Sequence, residues 1–272
     1  HHRGVGHRAE AAPAGGGMRL MAVSLGLAGR NLLLVRRVPS VFIPSLVMPL
    51  FILIATAGAF HGIGALPQFA GESYLAFTIP MAATMGAGFA GINSGMTLAR
   101  DLEGGFFDRL QSSPAPRMAL VFGPMLAAQA RSILTTVVVF VAGMIGGVML
   151  PGVASTLLIV AFALMFAAAA SFWAIGVALR ARTVQAAPIM QLVVFLSVFM
   201  SVAYVPQDAM HGWLAVVATY NPVTYILNAS RSAELTGTVI WSNTWPGLLS
   251  AAILLVVVGA FAILPLRHLE NR

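Results

Sequence analysis

Six runs without Asp, Glu, Lys or Arg make up most of this 272-residue chain, and they constrain its fold more than any other feature. They cover residues 38–71, 73–99, 132–179, 183–207, 209–230 and 235–266. A helix needs about 20 mainly apolar residues to cross the roughly 30 Å hydrocarbon core of a bilayer. Only 8% of the residues are charged, against about a quarter in a soluble domain. The sequence predicts an all-α integral membrane protein.

Six membrane spans account for these runs. The run at 132–179 is too long for one crossing, and Pro151-Gly152 marks a turn in its middle. The run at 209–230 contains His211, Asn221-Pro222 and Asn228, which suit a folded segment better than a helix facing lipid. A six-span domain is predicted over residues 39–272, with spans at about 39–60, 74–98, 128–149, 154–178, 186–205 and 247–266.

The arginines orient this layout, because loops on the cytoplasmic side are enriched in basic residues. Six spans place both termini and the 100–117 loop on the arginine-rich side. Arg131 lies near the inner end of span three, so its side chain can extend toward that side. Only Arg231 lies on the opposite side. A seventh span would carry Arg267 and Arg272 across. We therefore expect a multi-pass protein of the plasma (inner) membrane with cytoplasmic termini. Residues 206–246 lie outside, either as a re-entrant helix pair or as a surface loop.

The N-terminal region divides in two. Residues 1–17 are rich in Gly, Ala, His and Pro and read as a disordered extension or a non-native remnant. Residues 18–38 place Arg19, Arg30 and Arg37 on nearly one helical face, with apolar residues spread over the rest. This pattern favours an amphipathic helix in the inner membrane interface over a frayed cytoplasmic stem.

Several classes of chemistry are excluded by composition. The chain has no Cys and no Lys, so it offers neither a thiolate site nor the lysine of a phosphate-binding loop, and any ATP must bind another polypeptide. The six His residues have no metal-ligand spacing, which predicts no metal site and no catalytic residues. The net charge of +7 is explained by membrane orientation rather than by nucleic acid. No predicted span contains Asp or Glu, the usual coupling groups of secondary transporters.

Two glycine pairs suggest close helix packing. Gly91 and Gly95 form a G-x-x-x-G spacing in span two, and Gly143 and Gly147 repeat it in span three. Such spacings let helix backbones approach closely. Packing within the chain is favoured over a dimer seam.

A substrate path is predicted toward the outer side, where aromatic and Met residues are frequent. The candidates are Phe77, Phe195, Phe199, Met200, Asn221 and Tyr225. An aromatic belt at the membrane interface is the alternative explanation for such residues.

The segment Arg100–Met118, RDLEGGFFDRLQSSPAPRM, is the most polar stretch within the membrane domain. Phe106 and Phe107 are nevertheless bulky apolar residues on a predicted cytoplasmic loop, a costly placement unless something covers them. Phe106, Arg109 and Leu110 share a helical face at i, i+3 and i+4. The segment is therefore predicted to dock on a partner, the alternative being that the rings rest on the membrane or on the protein's own interfacial helix.

This stretch resembles the loop after the second span in ABC-2-type permeases, especially the daunorubicin-resistance branch. The resemblance rests on Glu103-Gly104, Leu110, and Pro114 with Arg117. Asn221-Pro222-Val223-Thr224-Tyr225 with the downstream Arg231 is similar to a second stretch of that family. Gly105-Phe106-Phe107 departs from it, since the family more often has Thr or Ser and a charged residue there.

The resemblance implies the membrane subunit of an ATP-driven exporter for a lipophilic or amphipathic drug, lipid or glycan. The 100–117 loop would carry the coupling helix, and its candidate contacts are Glu103, Gly104, Phe106, Phe107, Arg109, Leu110, Pro114 and Arg117. ATP and Mg would bind a separate ATPase subunit, and the chain would bind no cofactor. Other partners would be a second identical or paralogous permease and membrane lipids. The alternative is a secondary transporter or other multispan protein working without an ATPase.

Overall fold

The chain folds as a bundle of eight α-helices over the residues that the computed structural model describes, which are 21, 23–26, 29, 39–59, 62, 73–105 and 118–270. No strand occurs in those ranges. The helices are α1 Pro39–Ala59, α2 Tyr74–Glu103, α3 Ala119–Ile145, α4 Val153–Ala181, α5 Ala187–Phe199, α6 Trp213–Tyr220, α7 Pro222–Thr236 and α8 Trp241–Glu270.

Four of these helices are long and apolar enough to cross a membrane: α2, α3, α4 and α8. The apolar part of α1 and the helix around α5 are shorter, covering Leu46–Ala59 and Val184–Phe199. An all-α protein with membrane-spanning helices is thus confirmed for the described residues. The count of six spans stays a prediction.

Helices α2 and α4 form the centre of the bundle. Nearly every side chain of α2 from Ala76 to Ala99 is buried, and α1, α3, α4 and α5 pack around it. A Cβ atom built on Gly91 would lie 2.6 Å from the Ala170 Cβ and 2.7 Å from the Ala167 carbonyl oxygen of α4. The G-x-x-x-G spacing of α2 therefore packs against α4 within the chain, as the sequence favoured.

Helix ends coincide with capping residues. The Ser73 hydroxyl accepts a hydrogen bond from the Leu75 N–H at the start of α2. The Asn221 side chain accepts one from the Val223 N–H at the start of α7, and Pro222 follows at the first helical position. Helix α7 ends at Gly237, whose φ of 64° is the left-handed conformation that favours glycine. The turn at Pro151-Gly152 separates α3 from α4, as predicted.

Three helices differ from the predicted spans by six residues or more at one end. Helix α3 begins at Ala119 rather than near residue 128, and α8 begins at Trp241 rather than near residue 247. Arg131 of α3, predicted to extend toward the cytoplasmic side, is buried in the bundle and 6% exposed. Helix α5 ends at Phe199 although the apolar run continues to residue 205. Ser201, Val202 and Ala203 leave the helical conformation and stay buried.

Helices α6 and α7 form a hairpin beside the first half of α8. The Ser250 hydroxyl of α8 donates to the Pro222 carbonyl at the tip of this hairpin. At its other end, Gly237 lies against the Pro151 carbonyl between α3 and α4. The hairpin therefore runs from the middle of α8 to the end of the bundle that holds Tyr74, which we call the Tyr74 end.

At the opposite end of the bundle, which we call the Glu103 end, α2 ends and α5 begins. Most of the predicted interfacial helix and residues 106–117 lie outside the described residues. Within residues 18–38, Met21, residues 23–26 and Gly29 are described, and all are helical.

Candidate coupling contacts and membrane-embedded site

Glu103 links the end of α2 to the start of α5. Its carboxylate accepts a hydrogen bond of 2.6 Å from the Thr183 hydroxyl and one of 2.8 Å from the Val184 N–H. Val184 begins the short 3₁₀ turn Val184–Ala186 that leads directly into α5. A carboxylate that accepts the first N–H groups of a helical segment stabilises its N-terminus. The coupling segment is thus joined to α5 by a side chain predicted to contact the ATPase.

The hydrogen bonds from the Thr183 hydroxyl and the Val184 N–H hold the pKa of the Glu103 carboxyl below its usual range. A carboxyl whose folded-state pKa is lowered gives stability above its ordinary pKa, and that stability is lost as the pH falls through the lowered value. The contact should therefore be complete at neutral pH and disappear only in acid.

Replacing Glu103 by Ala should speed hydrogen exchange of the Val184 amide, because that N–H loses its acceptor. Hydrogen-exchange mass spectrometry in nanodiscs measures this at neutral pH. Thr183→Val is the comparison variant, since it leaves the Glu103–Val184 bond. It removes the hydroxyl that donates to Glu103 and accepts from the Gln185 N–H, so any added exchange should appear at Gln185 rather than at Val184. Unchanged exchange in Glu103→Ala would mean that the contact does not form in the membrane.

A tight turn follows Glu103 and sets the exit of the coupling segment. The Gly104 N–H donates to the Arg100 carbonyl oxygen at 2.9 Å, and Gly105 has a φ of 68°. Gly105, rather than Gly104, is thus the residue whose backbone requires glycine. The other predicted coupling residues, Phe106, Phe107, Arg109, Leu110, Pro114 and Arg117, lie outside the described residues and stay predictions.

Arg231 of α7 is the hub of a buried polar cluster near the Tyr74 end. It is 4% exposed, and its guanidinium donates to the carbonyl oxygens of Phe77, Val202 and Ala203. The guanidinium carbon also lies 3.7 Å from the centre of the Phe77 ring. Val202 and Ala203 belong to the non-helical stretch after α5, whose carbonyls have no helical partners. Backbone groups at membrane depth must be satisfied internally, and Arg231 does this.

Tyr74 adds a second contact to the same stretch. Its hydroxyl donates to the Tyr204 carbonyl oxygen at 2.9 Å, and its ring stacks on Phe77 at 5.7 Å between centroids. We call Tyr74, Phe77, Arg231 and residues 202–204 the Arg231 clamp. The clamp joins α2, the end of α5 and α7.

The six predicted path residues occupy different places. Phe77 lies in the Arg231 clamp, and Phe195 stacks on Phe199 at 4.0 Å along α5. Met200, half-buried, ends that helix. The Asn221 amide donates to the Ser197 carbonyl at 2.7 Å. Tyr225, at the surface, donates to the Thr219 carbonyl at 2.8 Å. The assignment of these residues to a substrate path stays a prediction.

Asn221 also borders a half-open apolar groove that holds about 110 Å³. Helix α4 forms its floor, α5 and α8 its sides, and the tip of the α6–α7 hairpin its end. The lining residues are Phe166, Ala169, Ala170, Trp173, Val193, Val194, Ser197, Asn221, Pro222, Val223, Leu254 and Val258. The groove has room for part of an apolar chain or one small ring.

Two buried charged residues and the half-buried Trp173 each have a polar atom without a hydrogen-bond partner among the described residues. The Arg131 Nε has no hydrogen-bond partner, and neither has the Glu234 Oε2, although these residues are only 6% and 7% exposed. The Trp173 indole nitrogen beside the groove is likewise unpartnered. A charge inside or next to an apolar run is the sequence signal for the first two, but it does not distinguish burial from an exposed position. In the described part of the chain, no three His, Cys, Asp or Glu residues are grouped as a metal site.

Comparison with known proteins identifies the family of this chain. The daunorubicin resistance ABC transporter permease protein DrrB1 of Streptomyces coeruleorubidus is 25% identical over 261 residues, covering 93% of this chain and 89% of the relative. The protein ycf38 of Cyanophora paradoxa, named as a transport permease, is 25% identical over 209 residues, covering 75% of this chain and 71% of the relative. The family model for the ABC-2 type transporter matches residues 25–235. The chain therefore belongs to the ABC-2 type transporter family and is a permease of that type, the membrane subunit of an ABC transporter.

Proposed function

We propose that this chain is the permease subunit of an ATP-driven exporter that moves a lipophilic or amphipathic molecule out of the cytoplasm or the inner leaflet. The match to the ABC-2 family over residues 25–235 is the observation that carries this proposal. Members of the family work in general with an ABC ATPase. The absence of lysine supports ATP and Mg binding on a separate subunit, because no phosphate-binding loop can be built from this sequence.

The structure suggests how movement passes from the ATPase to the membrane helices. A movement of the ATPase displaces the 106–117 segment, which is continuous with α2 at Glu103. The Glu103 carboxylate pulls on Thr183 and Val184 and so on the start of α5. The other end of α5 leads into residues 202–204, which the Arg231 clamp holds to α2 and α7. Helix α5 is thus attached at both ends to elements that can move with the ATPase.

The location and assembly follow from the same proposal. Helices α1 to α5 and α8 form six spans of the plasma membrane, with the Glu103 end and both termini in the cytoplasm. The α6–α7 hairpin is re-entrant from the outer side, which its position beside the first half of α8 supports. A second permease, identical or paralogous, completes the transporter. The groove at Trp173 and Asn221 is a candidate contact for a lipophilic substrate.

Transport in proteoliposomes tests this function. The purified permease is reconstituted with and without its ATPase, and uptake of a fluorescent lipophilic cation or lipid into inside-out vesicles is measured with ATP and with a proton gradient. We expect uptake only with both ATP and the ATPase. Uptake driven by the proton gradient without the ATPase would favour a secondary transporter and contradict the proposal.

A further inference from the structure

Among the described residues, two arginines are buried within the bundle, and their surroundings differ. Arg231 uses its Nε and both terminal nitrogens to donate to carbonyl oxygens. Arg131 of α3 is buried almost as fully, at 6% exposure. Its single hydrogen bond joins Nη2 to the Ala90 carbonyl oxygen at 3.5 Å, and its Nε has no partner. A distance of 3.5 Å lies beyond the usual range for such bonds. Arg131 is therefore a buried cation with most of its hydrogen-bonding capacity unused.

The charge of Arg131 persists because an arginine side chain is not deprotonated in proteins. No ion pair to Arg131 occurs among the residues described by the structure. The five Asp and Glu residues in the described ranges belong to other parts of the chain: Asp101 and Glu103 at the far end of α2, Asp208 in the loop before α6, Glu234 near the end of α7, and Glu270 at the end of α8. A buried charge without a counter-charge is destabilising, and ionisable residues inside membrane proteins usually mark functional sites.

Arg131 lies near the middle of α3, and its contact Ala90 lies near the middle of α2. At 1.5 Å per residue, Ala90 is about 24 Å along α2 from Tyr74, within a hydrocarbon core of roughly 30 Å. With Tyr74 at one boundary of that core, Ala90 lies about 6 Å inside the boundary at the Glu103 end. Ser132 and Thr136 lie on the same helix, are fully buried and have hydroxyls without partners, so two further donors are close along α3.

An exposed apolar stripe on α3 passes close to Arg131. Leu134 is 46% exposed and lies one turn further on, about 60° around the helix from Arg131. Val137 and Val141 continue the same apolar stripe at 49% and 43% exposure. An acyl chain on this stripe would bring its headgroup to the level of Arg131.

We propose that Arg131 binds a single anionic group, a phosphate or carboxylate, carried by an amphipathic molecule that lies along the exposed face of α3. The guanidinium supplies the charge and its free N–H groups the hydrogen bonds, and the stripe formed by Leu134, Val137 and Val141 contacts the tail. The site goes beyond the proposed function, because it requires no ATPase and no transport for its occupation.

Lipid retention by the full-length chain tests the site. Nanodiscs of phosphatidylcholine, with or without phosphatidylglycerol, are compared for the wild type, Arg131→Gln and Arg131→Lys. Native mass spectrometry counts retained lipids, and tryptophan fluorescence follows thermal unfolding. Arg180→Gln is the matched control, because Arg180 is also a basic residue at the Glu103 end but is exposed and already paired with the Gly176 carbonyl and the Phe261 ring.

We expect the wild type to retain one phosphatidylglycerol and to unfold at a higher temperature when that lipid is present. Arg131→Gln should bind it about tenfold more weakly or worse, should lose the thermal shift, and in phosphatidylcholine alone should be at least as stable as the wild type. Arg131→Lys should retain it to an intermediate degree, and Arg180→Gln should match the wild type.

Three added competitors identify the source of the anion. Oleate should compete with phosphatidylglycerol, while oleyl alcohol and inorganic phosphate should not, because the site requires both a charge and a tail. Competition by inorganic phosphate would show that a free anion suffices and would overturn the amphipathic part of the proposal. Equal retention by the wild type and Arg131→Gln, equal loss in Arg180→Gln, or no preference of the wild type for phosphatidylglycerol would overturn the site itself. Each result is independent of ATP-driven transport.

Discussion

Replacing Arg231 by Met should be the most destabilising single change among the polar residues described in this chain. The methionine fills much of the same space but removes the donor to the Phe77 carbonyl and leaves the non-helical carbonyl oxygens of Val202 and Ala203 without their donor. Leaving a buried acceptor unsatisfied costs about 1–3 kcal/mol for each group. We expect a corresponding fall in the midpoint of unfolding, measured by tryptophan fluorescence in nanodiscs.

Arg180→Met is the matched control for this change. Arg180 also lies 3.7 Å from an aromatic ring, that of Phe261, and donates to a carbonyl, that of Gly176. It is exposed, however, so water can replace those contacts, and its loss should cost about 1 kcal/mol or less. Similar effects of the two substitutions would show that the Arg231 clamp contributes no more than a surface contact.

Replacing Gly91 by Ala should also be strongly destabilising, because it pushes α2 away from α4. The new methyl group would lie 2.7 Å from the Ala167 carbonyl oxygen and 2.8 Å from the Ser171 nitrogen, both of which are backbone atoms. Backbone cannot yield as a flexible side chain can, and overpacking of a core commonly costs about 1–3 kcal/mol. We expect a loss at the upper end of that range, together with reduced transport.

Gly58→Ala in α1 is the control for the Gly91 substitution. No atom lies within 4 Å of a Cβ atom built on Gly58, and its backbone is helical. Alanine is the better helix former by about 1 kcal/mol, so this variant should be as stable as the wild type or slightly more stable. If Gly91→Ala behaved in the same way, α2 and α4 would not pack as described.

The long helices could be predicted because a bilayer imposes a simple requirement on sequence. Each charge-free run must be long enough to cross the membrane, and the run at 132–179, which is too long for one crossing, must be broken at Pro151-Gly152. The Gly91–Gly95 spacing likewise predicts a close helix contact wherever the partner lies. Local properties of the chain were sufficient for these features.

The end of α5 could not be predicted from local sequence. The apolar run continues past Phe199, and the first proline after it is Pro206. Beyond the helix end, the carbonyls of Val202 and Ala203 bond to Arg231, which is almost thirty residues further along the chain. From sequence alone, an arginine in a segment outside the membrane is expected to be solvated, because its distant partners are not known.

Arg131 shows the same limit at the other end of the bundle. An arginine near the end of a span is expected to extend toward water, and this was the prediction for Arg131. The structure turns it toward α2 and Ala90 instead. For the candidate site, Glu103 was recognised from the sequence but its contact with Thr183 and Val184 was not, since these residues are eighty positions apart. Contacts between distant segments depend on packing that no local pattern records.

We propose that an ATPase docks on the segment after Glu103 and moves the membrane helices by displacing that segment. The most direct measurement is the number of substrate molecules transported per ATP hydrolysed by the reconstituted complex, for the wild type and for Phe106→Asp combined with Arg109→Glu. The double substitution removes an apolar ring and reverses a charge on the predicted docking face. We expect transport to fall at least tenfold while the permease stays folded in the membrane. Wild-type coupling in the double variant, with the complex intact, would contradict the account.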